Sequence, residues 1–468
     1  MAEQRPPSRP KSRPKPSSKG GPPRGAPPQD RKPAKPRTEP VEHNDPGLPA
    51  RLAAIELVRA AQARRGGLDE ALVHPGFQKL TPQERAFARA LAMAVLRNHG
   101  RIERALDSRL QKRPNAQAMD LLRIGAAQIF ALDVPDFAAV ATTVTLAERE
   151  NATRPMKGLI NAVLRGLLRE PPPPAPPEAN LPDWIWQRWK TALGEDRARA
   201  VAAVIPEEPP TDLSLRDPAD AEAVAAELEG EVLPGGSVRT RRKGDVPSWP
   251  GFEAGRWWIQ DAAAAIPARL IEAGSGMSVL DLCAAPGGKT LQLAAAGADV
   301  VAVDRSANRL KRLEANLRRT GLTAEVVAAD GEAWEDPRTF DAVLLDAPCT
   351  STGTFRRNPD VLWGTRPGDI GKLADVQHRL LDAAAGRVKP GGVLVYCVCS
   401  LERDEGETQA IAFLRRHPEF TTAAADPAAV GADPDALTPE GWLRILPSHL
   451  GERGGMDGFF AARFRRNG

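Results

Sequence analysis

Apolar residues recur along this chain with two different periods, and the change of period divides it. Leu52, Ile55, Leu57 and Val58 begin a repeat near 3.6 residues, and Phe87, Leu91, Met93 and Val95 repeat it within Ala86–Leu96. Segments 102–110, 119–132, 140–150 and 157–168 continue it, separated by Arg113-Pro114, Val134-Pro135 and Arg154-Pro155. The pattern over 50–169 predicts a bundle of six or seven helices. Pro171–Pro177 then breaks it with a stiff polyproline spacer. Trp184, Trp186 and Trp189 follow at helical spacing. They could stack on bases, but aromatics so spaced read first as core or domain-interface anchors. Residues 211–258 predict a small α+β unit: a strand at 213–216, a helix at 219–228, a turn at Gly235-Gly236-Ser237, and Trp257-Trp258-Ile259. From 262 onward strands and helices alternate. Strands end at Asp281, Asp304, near Ala329, at Asp346 and at Cys399. Helices are expected at 262–273, 290–296, 307–319, 372–387 and 405–416, with terminal strands at 442–445 and 458–464. Such alternation specifies a mostly parallel sheet with helices on both faces.

Composition adds a boundary at the start. The 468 residues carry a net charge of only +4 with 26% charged residues. Yet residues 1–40 concentrate Arg and Lys among Pro, Ser and Gly with almost no large apolar side chain, so they cannot offset chain entropy and are expected to be disordered. They serve either as an electrostatic arm for RNA phosphates or as a solubilising tail. No apolar run follows the charges, which argues against a secretory signal, and no stretch is long and apolar enough to span a membrane. The four cysteines, Cys283, Cys349, Cys397 and Cys399, are therefore read as free thiols. The six His are scattered, so no metal site is expected.

The candidate chemistry begins at Leu280–Thr290, a strand, a Gly/Pro turn and a helix start. Gly288-Lys289-Thr290 resembles the end of a phosphate-binding loop, but Cys283 occupies the position of its first Gly, and Gly-x-Gly-x-x-Gly is absent. Asp304 and Asp330 each end a strand-like run, and Asp304 follows Asp281 at roughly the 20-residue spacing of a ribose-binding acid. A glycine loop followed by acids suits a phosphate-free adenosine ligand, with S-adenosylmethionine the obvious candidate. The turn alone is equally compatible with a packed α/β corner. Two further strands, leading into Asp346-Ala347-Pro348-Cys349 and Cys397-Val398-Cys399-Ser400, each deliver a Cys to the same rim.

The motifs Asp281-Leu282-Cys283-Ala284-Ala285-Pro286-Gly287-Gly288-Lys289-Thr290, Asp346-Ala347-Pro348-Cys349 and Cys399-Ser400, in this order, resemble the RsmB/Sun family of RNA cytosine-5 methyltransferases. The segments 134–140 and 157–165 resemble the NusB-like RNA-binding domain that precedes the catalytic part in that family. The resemblance implies a multidomain chain: a disordered tail (1–45), an all-α NusB-like bundle (46–170), a linker (171–182), a helical connector with a small RRM-like α+β subdomain (183–260), and a Rossmann-like α/β methyltransferase domain (261–468). It also implies a cytoplasmic enzyme acting on small-subunit rRNA. A tRNA methyltransferase and a non-catalytic RNA-binding assembly factor are the rival readings.

Cytosine C5 is too poor a nucleophile to accept a methyl group unaided, and addition of a thiolate to C6 turns the ring into a reactive enamine. By resemblance Cys399 is that nucleophile and Cys349 aids release of the methylated product. A Pro-Cys motif taken alone would have suggested Cys349 as nucleophile, as in DNA cytosine methyltransferases. Asp346 would orient the base or lie near the cofactor. Cys283, Ala284, Ala285, Pro286, Gly287, Gly288 and Lys289, with Asp304, Asp330 and Asp346, would bind S-adenosylmethionine. Arg356 and Arg357 would hold RNA phosphates. Cys283 and Cys397 are expected to pack, Cys397 on the same side of its strand as Cys399. Two positions depart from the family: Val398 stands where Thr is usual and Gly406 where Asn is usual.

Overall fold

The structure, a computed structural model, describes residues 47–468 apart from Asp133 and Pro172. The basic arm expected over 1–45 lies outside the described residues. The helical part contains α1 (Leu48–Ala63), α2 (Gly67–Val73), α3 (Pro75–Gln78), α4 (Pro82–Arg97), α5 (His99–Asp107), α6 (Ala116–Ala131), α7 (Asp136–Arg149) and α8 (Lys157–Arg169). That is eight helices against the six or seven expected. The added α2 and α3 span only 7 and 4 residues, too few to display a 3.6 period. Thr81 and Glu84 form a capping box at the start of α4, and the Asn115 side chain accepts the Ala118 N–H at the start of α6. Leu91, Leu122 and Leu164 are fully buried between the helices.

Two connector helices follow, α9 (Asp183–Leu193) and α10 (Glu195–Ala203). Trp189 is buried, and Trp184 and Trp186 pack at the edge of the same cluster with Phe355, Leu362 and Leu401 of the catalytic part. The tryptophans are thus interface anchors rather than an exposed stacking platform. A four-stranded antiparallel sheet comes next: β1 (Thr211–Leu215), β2 (Glu231–Val232), β3 (Val238–Thr240) and β4 (Trp257–Ile259), in the order β2-β3-β1-β4. One helix, α11 (Ala221–Glu227), follows β1, and only a short 3-10 turn at Val246–Ser248 separates β3 from β4.

The large sheet contains β5 (Ser278–Leu282), β6 (Asp299–Asp304), β7 (Glu325–Ala328), β8 (Phe340–Asp346), β9 (Val388–Val398), β10 (Phe420–Thr422), β11 (Leu443–Ile445) and β12 (Phe459–Arg466). Its order is β10-β12-β9-β8-β5-β6-β7, with β11 also paired to β12. The five strands from β7 to β9 are parallel, and β12 closes them antiparallel. The helices are α12 (Ala262–Arg269), α13 (Gly288–Ala295), α14 (Ala307–Thr320), α15 (Asp360–Gly364), α16 (Pro367–Ala385), α17 (Glu407–Arg416) and α18 (Pro427–Val430). Both sheet faces are buried, as period two requires: Val393, Val395 and Cys397 enter one core, and Leu394, Tyr396 and Val398 the other. Strand order reverses at β5, between β6 and β8, so the ligand crevice lies at the carboxyl ends of these strands. Contacts among residues 46–468 are dense enough that the bundle and the sheet belong to one compact unit. Among the described residues no helix is long and apolar enough to cross a membrane.

Candidate active site

The turn after β5 is shaped by backbone that few residues tolerate. Cys283 is left-handed (φ +61°) and Gly287 has φ +105°. A Cβ on Gly287 would sit 2.3 Å from Leu313 Cδ1, so only glycine fits there. The Ala284 N–H donates to the Val303 carbonyl (3.1 Å) and the Ala285 N–H to Asp304 Oδ2 (3.1 Å). Asp304, nearly fully buried, also accepts the Ser306 N–H (2.8 Å) and lies 3.6 Å from Arg309 Nη1. Arg309 in turn donates to the Ala285 carbonyl. Asp330 is exposed just beyond β7 and accepts the Glu332 N–H. The turn, Asp304 and Asp330 therefore border one crevice. Lys289 does not point at a phosphate site. Its ammonium donates to Asp346 Oδ2 (2.8 Å) over the Phe459 ring, and this pairing raises its pKa against the opposing effect of burial. A turn of small residues, two rim acids and a lysine committed to a carboxylate fit an adenosyl ligand without phosphates.

Beneath the turn, Thr290 donates to Asp281 Oδ2 (2.6 Å). Asp281 is wholly buried, its Oδ1 has no hydrogen-bond partner, and burial pushes its pKa up to about 7. Cys397, also buried, donates its thiol to Asp346 Oδ1 (3.5 Å). Burial raises the Cys397 and Cys283 thiols well above the ordinary range, so both stay protonated and pack, as expected.

The other two cysteines meet. Cys349 lies three residues beyond β8 and Cys399 one beyond β9, and their Sγ atoms are 3.4 Å apart. The Ser351 hydroxyl lies 3.6 Å from Cys399 Sγ and 3.9 Å from Cys349 Sγ. Cys349 is buried and Cys399 half-buried. The hydrogen bond to Cys399, then burial, raises the Cys349 thiol. Cys349 therefore holds its proton beside Cys399.

Several residues that fix this pair carry no signal in the sequence beyond being polar. Glu405 is buried and accepts four donors: the Thr350 N–H (2.9 Å), the Thr350 hydroxyl (2.5 Å), the Ser400 hydroxyl (2.5 Å) and Gln377 Nε2 (3.2 Å). It thereby joins the residue after Cys349 to the residue after Cys399. Arg444 of β11 donates to the Ser400 carbonyl (2.6 Å) while paired with Glu407. Glu402 takes bonds from Trp189 Nε1 (3.1 Å) and Arg188 Nε (2.5 Å) of α9. The Gly353 N–H donates to the Cys399 carbonyl (3.0 Å). A Cβ on Gly406 would fall 2.4 Å from Arg444 Nη2, so the departure there accompanies the Arg444 bridge. Val398 is simply buried in the core.

Arg356 and Arg357 correct the expectation that they present themselves to RNA. Arg356 is 2% exposed, lies 3.5 Å from both Asp261 and Asp457, and donates to the Gly454 carbonyl. Arg357 donates to Asp261 Oδ2 (2.6 Å) and lies 3.7 Å from Asp212, which is also paired to Arg239. Three buried acids capture the two guanidiniums, because an unpaired carboxylate is too costly in this interior. The cluster joins the small sheet to the catalytic loop. Among the described residues no group of three or more His, Cys, Asp or Glu is arranged to hold a metal ion.

This geometry agrees with what known proteins resemble the chain. The family model described as 16S rRNA methyltransferase RsmB/F matches residues 268–465, and that of the NusB family matches 48–169. The chain is 36% identical over 422 residues to ribosomal RNA small subunit methyltransferase B of Klebsiella pneumoniae, covering 83% of this chain and 92% of that one. It is 38% identical over 398 residues to the protein of the same name from Xylella fastidiosa, covering 81% and 91%. A methyltransferase homologue from Pyrococcus horikoshii, 25% identical, superposes with a TM-score of 0.51 over 64% of this chain and 98% of its own. With its helical NusB domain, its mixed methyltransferase sheet and this cysteine pair, the chain belongs to the RsmB family of S-adenosylmethionine-dependent RNA methyltransferases.

Proposed function

We propose that this enzyme methylates C5 of a cytidine in small-subunit rRNA through a covalent adduct on Cys399, and that Cys349 releases the product. The observation that carries this reading is the 3.4 Å approach of the two sulfurs at neighbouring strand ends, beside the Lys289–Asp346 pair. Cys399, the more accessible sulfur, adds to C6. The C5–C6 π electrons move into the ring and make C5 a nucleophile. Asp346, oriented by Lys289 and Cys397, hydrogen-bonds the base edge and supports protonation of the ring. S-adenosylmethionine supplies the methyl group when bound, its adenosyl part bordered by the Cys283–Gly288 turn, Asp304 and Asp330. Cys349 then removes the C5 proton. The C–H electrons restore the C5–C6 double bond and expel Cys399 as thiolate. The bond to Cys399, then burial, raises the Cys349 pKa, and adduct formation on Cys399 removes the first of these causes.

The helical bundle supplies a second RNA-contacting surface, and an rRNA substrate supports a cytoplasmic location. The test incubates wild type, Cys399→Ala and Cys349→Ala with labelled S-adenosylmethionine and small-subunit rRNA, small subunits or tRNA. Methyl transfer and denaturation-resistant protein–RNA adduct are scored. The reading requires transfer to small-subunit RNA, no adduct from Cys399→Ala, and adduct accumulation by Cys349→Ala. Exchanged mutant behaviours would reverse the roles, transfer to tRNA alone would change the substrate, and S-adenosylmethionine binding without transfer to any RNA would favour an assembly factor.

A further inference from the structure

The peptide groups around Cys349 are each held by a side chain from a different part of the fold. Gln377 of α16 donates to the Pro348 carbonyl (2.9 Å), and Glu405 accepts the Thr350 N–H (2.9 Å). The carbonyl of Cys349 itself accepts from Arg65 Nη1 at 2.6 Å. Arg65 lies 284 positions earlier, in the turn between α1 and α2 of the helical bundle. That turn is tightly built: Gly66 is left-handed, and a Cβ on Gly67 would meet the Ala60 carbonyl at 2.1 Å.

The contact is part of a reciprocal seam. Arg97 Nη2 donates to the Arg356 carbonyl (2.7 Å) from the bundle, while Trp363 Nε1 donates to the Leu96 carbonyl (3.1 Å) and Arg366 Nη2 to the Gln62 carbonyl (2.9 Å) from the other side. Gly364 admits no side chain, since its Cβ would lie 2.9 Å from the Ala61 carbonyl, and Trp363 packs on His99 with ring centroids 4.2 Å apart. The helix α15 that follows the Cys349 loop is thus wedged against the bundle. Gln377 and Glu405 are buried, but Arg65 remains largely exposed.

We propose that Arg65, carried by the helical domain, is a positioning residue for Cys349 in product release. Its bond to the Cys349 carbonyl fixes the main chain from which the sulfur must reach the C5 proton, while the step that forms the adduct depends on Cys399, whose loop Arg65 does not touch. Its loss should therefore slow release and spare adduct formation. The inference rests on the release role given to Cys349 above.

The experiment follows methyl transfer and adduct resolution separately, by quenched single turnover with labelled S-adenosylmethionine and small-subunit RNA. It compares wild type, Arg65→Met, Arg65→Lys and Cys349→Ala, with a melting temperature for each. For Arg65→Met the expected result is transfer within about twofold of wild type and adduct resolution slowed about tenfold, roughly 1.4 kcal/mol on that barrier. Arg65→Lys, which keeps a charged donor, should recover most of the loss. Wild-type resolution in Arg65→Met, while Cys349→Ala accumulates adduct, overturns the role of Arg65. A parallel fall in both steps with a lowered melting temperature and no rescue by Lys also overturns it, in favour of simple domain packing. If Cys349→Ala accumulates no adduct, the release role fails and takes this inference with it.

Discussion

Removing the Glu405 carboxylate should uncouple the two cysteine loops. In Glu405→Ala the two hydroxyls that bond it have another choice: Thr350 Oγ1 and Ser400 Oγ lie 3.1 Å apart and can bond each other. Gln377 Nε2 keeps the Pro348 carbonyl. The Thr350 N–H, however, is buried and left without an acceptor. An orphaned buried donor costs about 1–3 kcal/mol, and a lost buried methylene adds about 0.8 kcal/mol, so the expected destabilisation is about 2–4 kcal/mol. Glu405→Gln keeps an oxygen for Thr350 and should cost about 1 kcal/mol. Burial raises the Glu405 pKa while its bonds to Ser400 and Thr350 oppose that. Urea unfolding gives the stability difference, and single-turnover methylation well below the unfolding midpoint gives the activity. Activity of Glu405→Ala should fall at least tenfold under conditions where it remains folded, because the 3.4 Å approach of the sulfurs depends on both loops. A variant that loses under 1 kcal/mol and methylates at the wild-type rate would refute this account.

Two further outcomes separate structural from RNA-contacting charge and expose a buried acid. Arg357→Ala takes from buried Asp261 its closest partner and from Asp457 one of two, so it should destabilise the fold by about 3–5 kcal/mol and leave the slope of RNA affinity against salt unchanged; calorimetry and salt-dependent binding check both halves. Asp281 titrates near 7 in the folded chain against an ordinary 3.8. Between those values the folded state keeps a proton that the unfolded state has released, so stability falls as pH rises from about 4 to about 7 and levels off above. Asp457, raised to about 7 mainly by burial and by Asp261, contributes with the same sign. Asp281→Asn should flatten its part of that slope in melting temperatures taken across this range, and an unchanged slope would refute the assignment.

The parts of the site that were readable in advance are those written in contiguous residues. The turn Cys283–Lys289, Asp304 and Asp346 fall at strand ends because short continuous apolar runs stop there. Cys349 and Cys399 follow for the same reason. The short elements α2, α3, α15 and β10 went unread, since three to seven residues show no period. Arg356 and Arg357 were placed among RNA ligands because a basic pair beside a catalytic motif looks the same in sequence whether it faces phosphate or carboxylate. Their acid partners, Asp261 and Asp457, lie about 100 residues away on either side, and nothing local announces them. Glu405 is a single acid in no local pattern, although its carboxylate joins the two loops.

The buried loops explain why distant residues matter so much here. Thr350, Thr352 and Ser400 are fully buried, yet the segments that carry them, just beyond β8 and β9, lack the ladder that would satisfy regular backbone. Each buried N–H and C=O in such a segment needs a partner from elsewhere. For the carbonyls the chain supplies Arg65 from the bundle, Gln377 from α16 and Arg444 from β11, and Arg188 and Trp189 of the connector hold the Glu402 carboxylate on the same loop as Ser400. Two of these four sources, the bundle and the connector, precede the large sheet and its helices. The sheet does not need them, because its strands satisfy one another and its faces are covered by their own helices. The cysteine loops do. A chain cut back to the sheet would thus keep the secondary structure longer than it keeps the sulfur–sulfur approach, because the helical domain helps to hold the Cys349 loop.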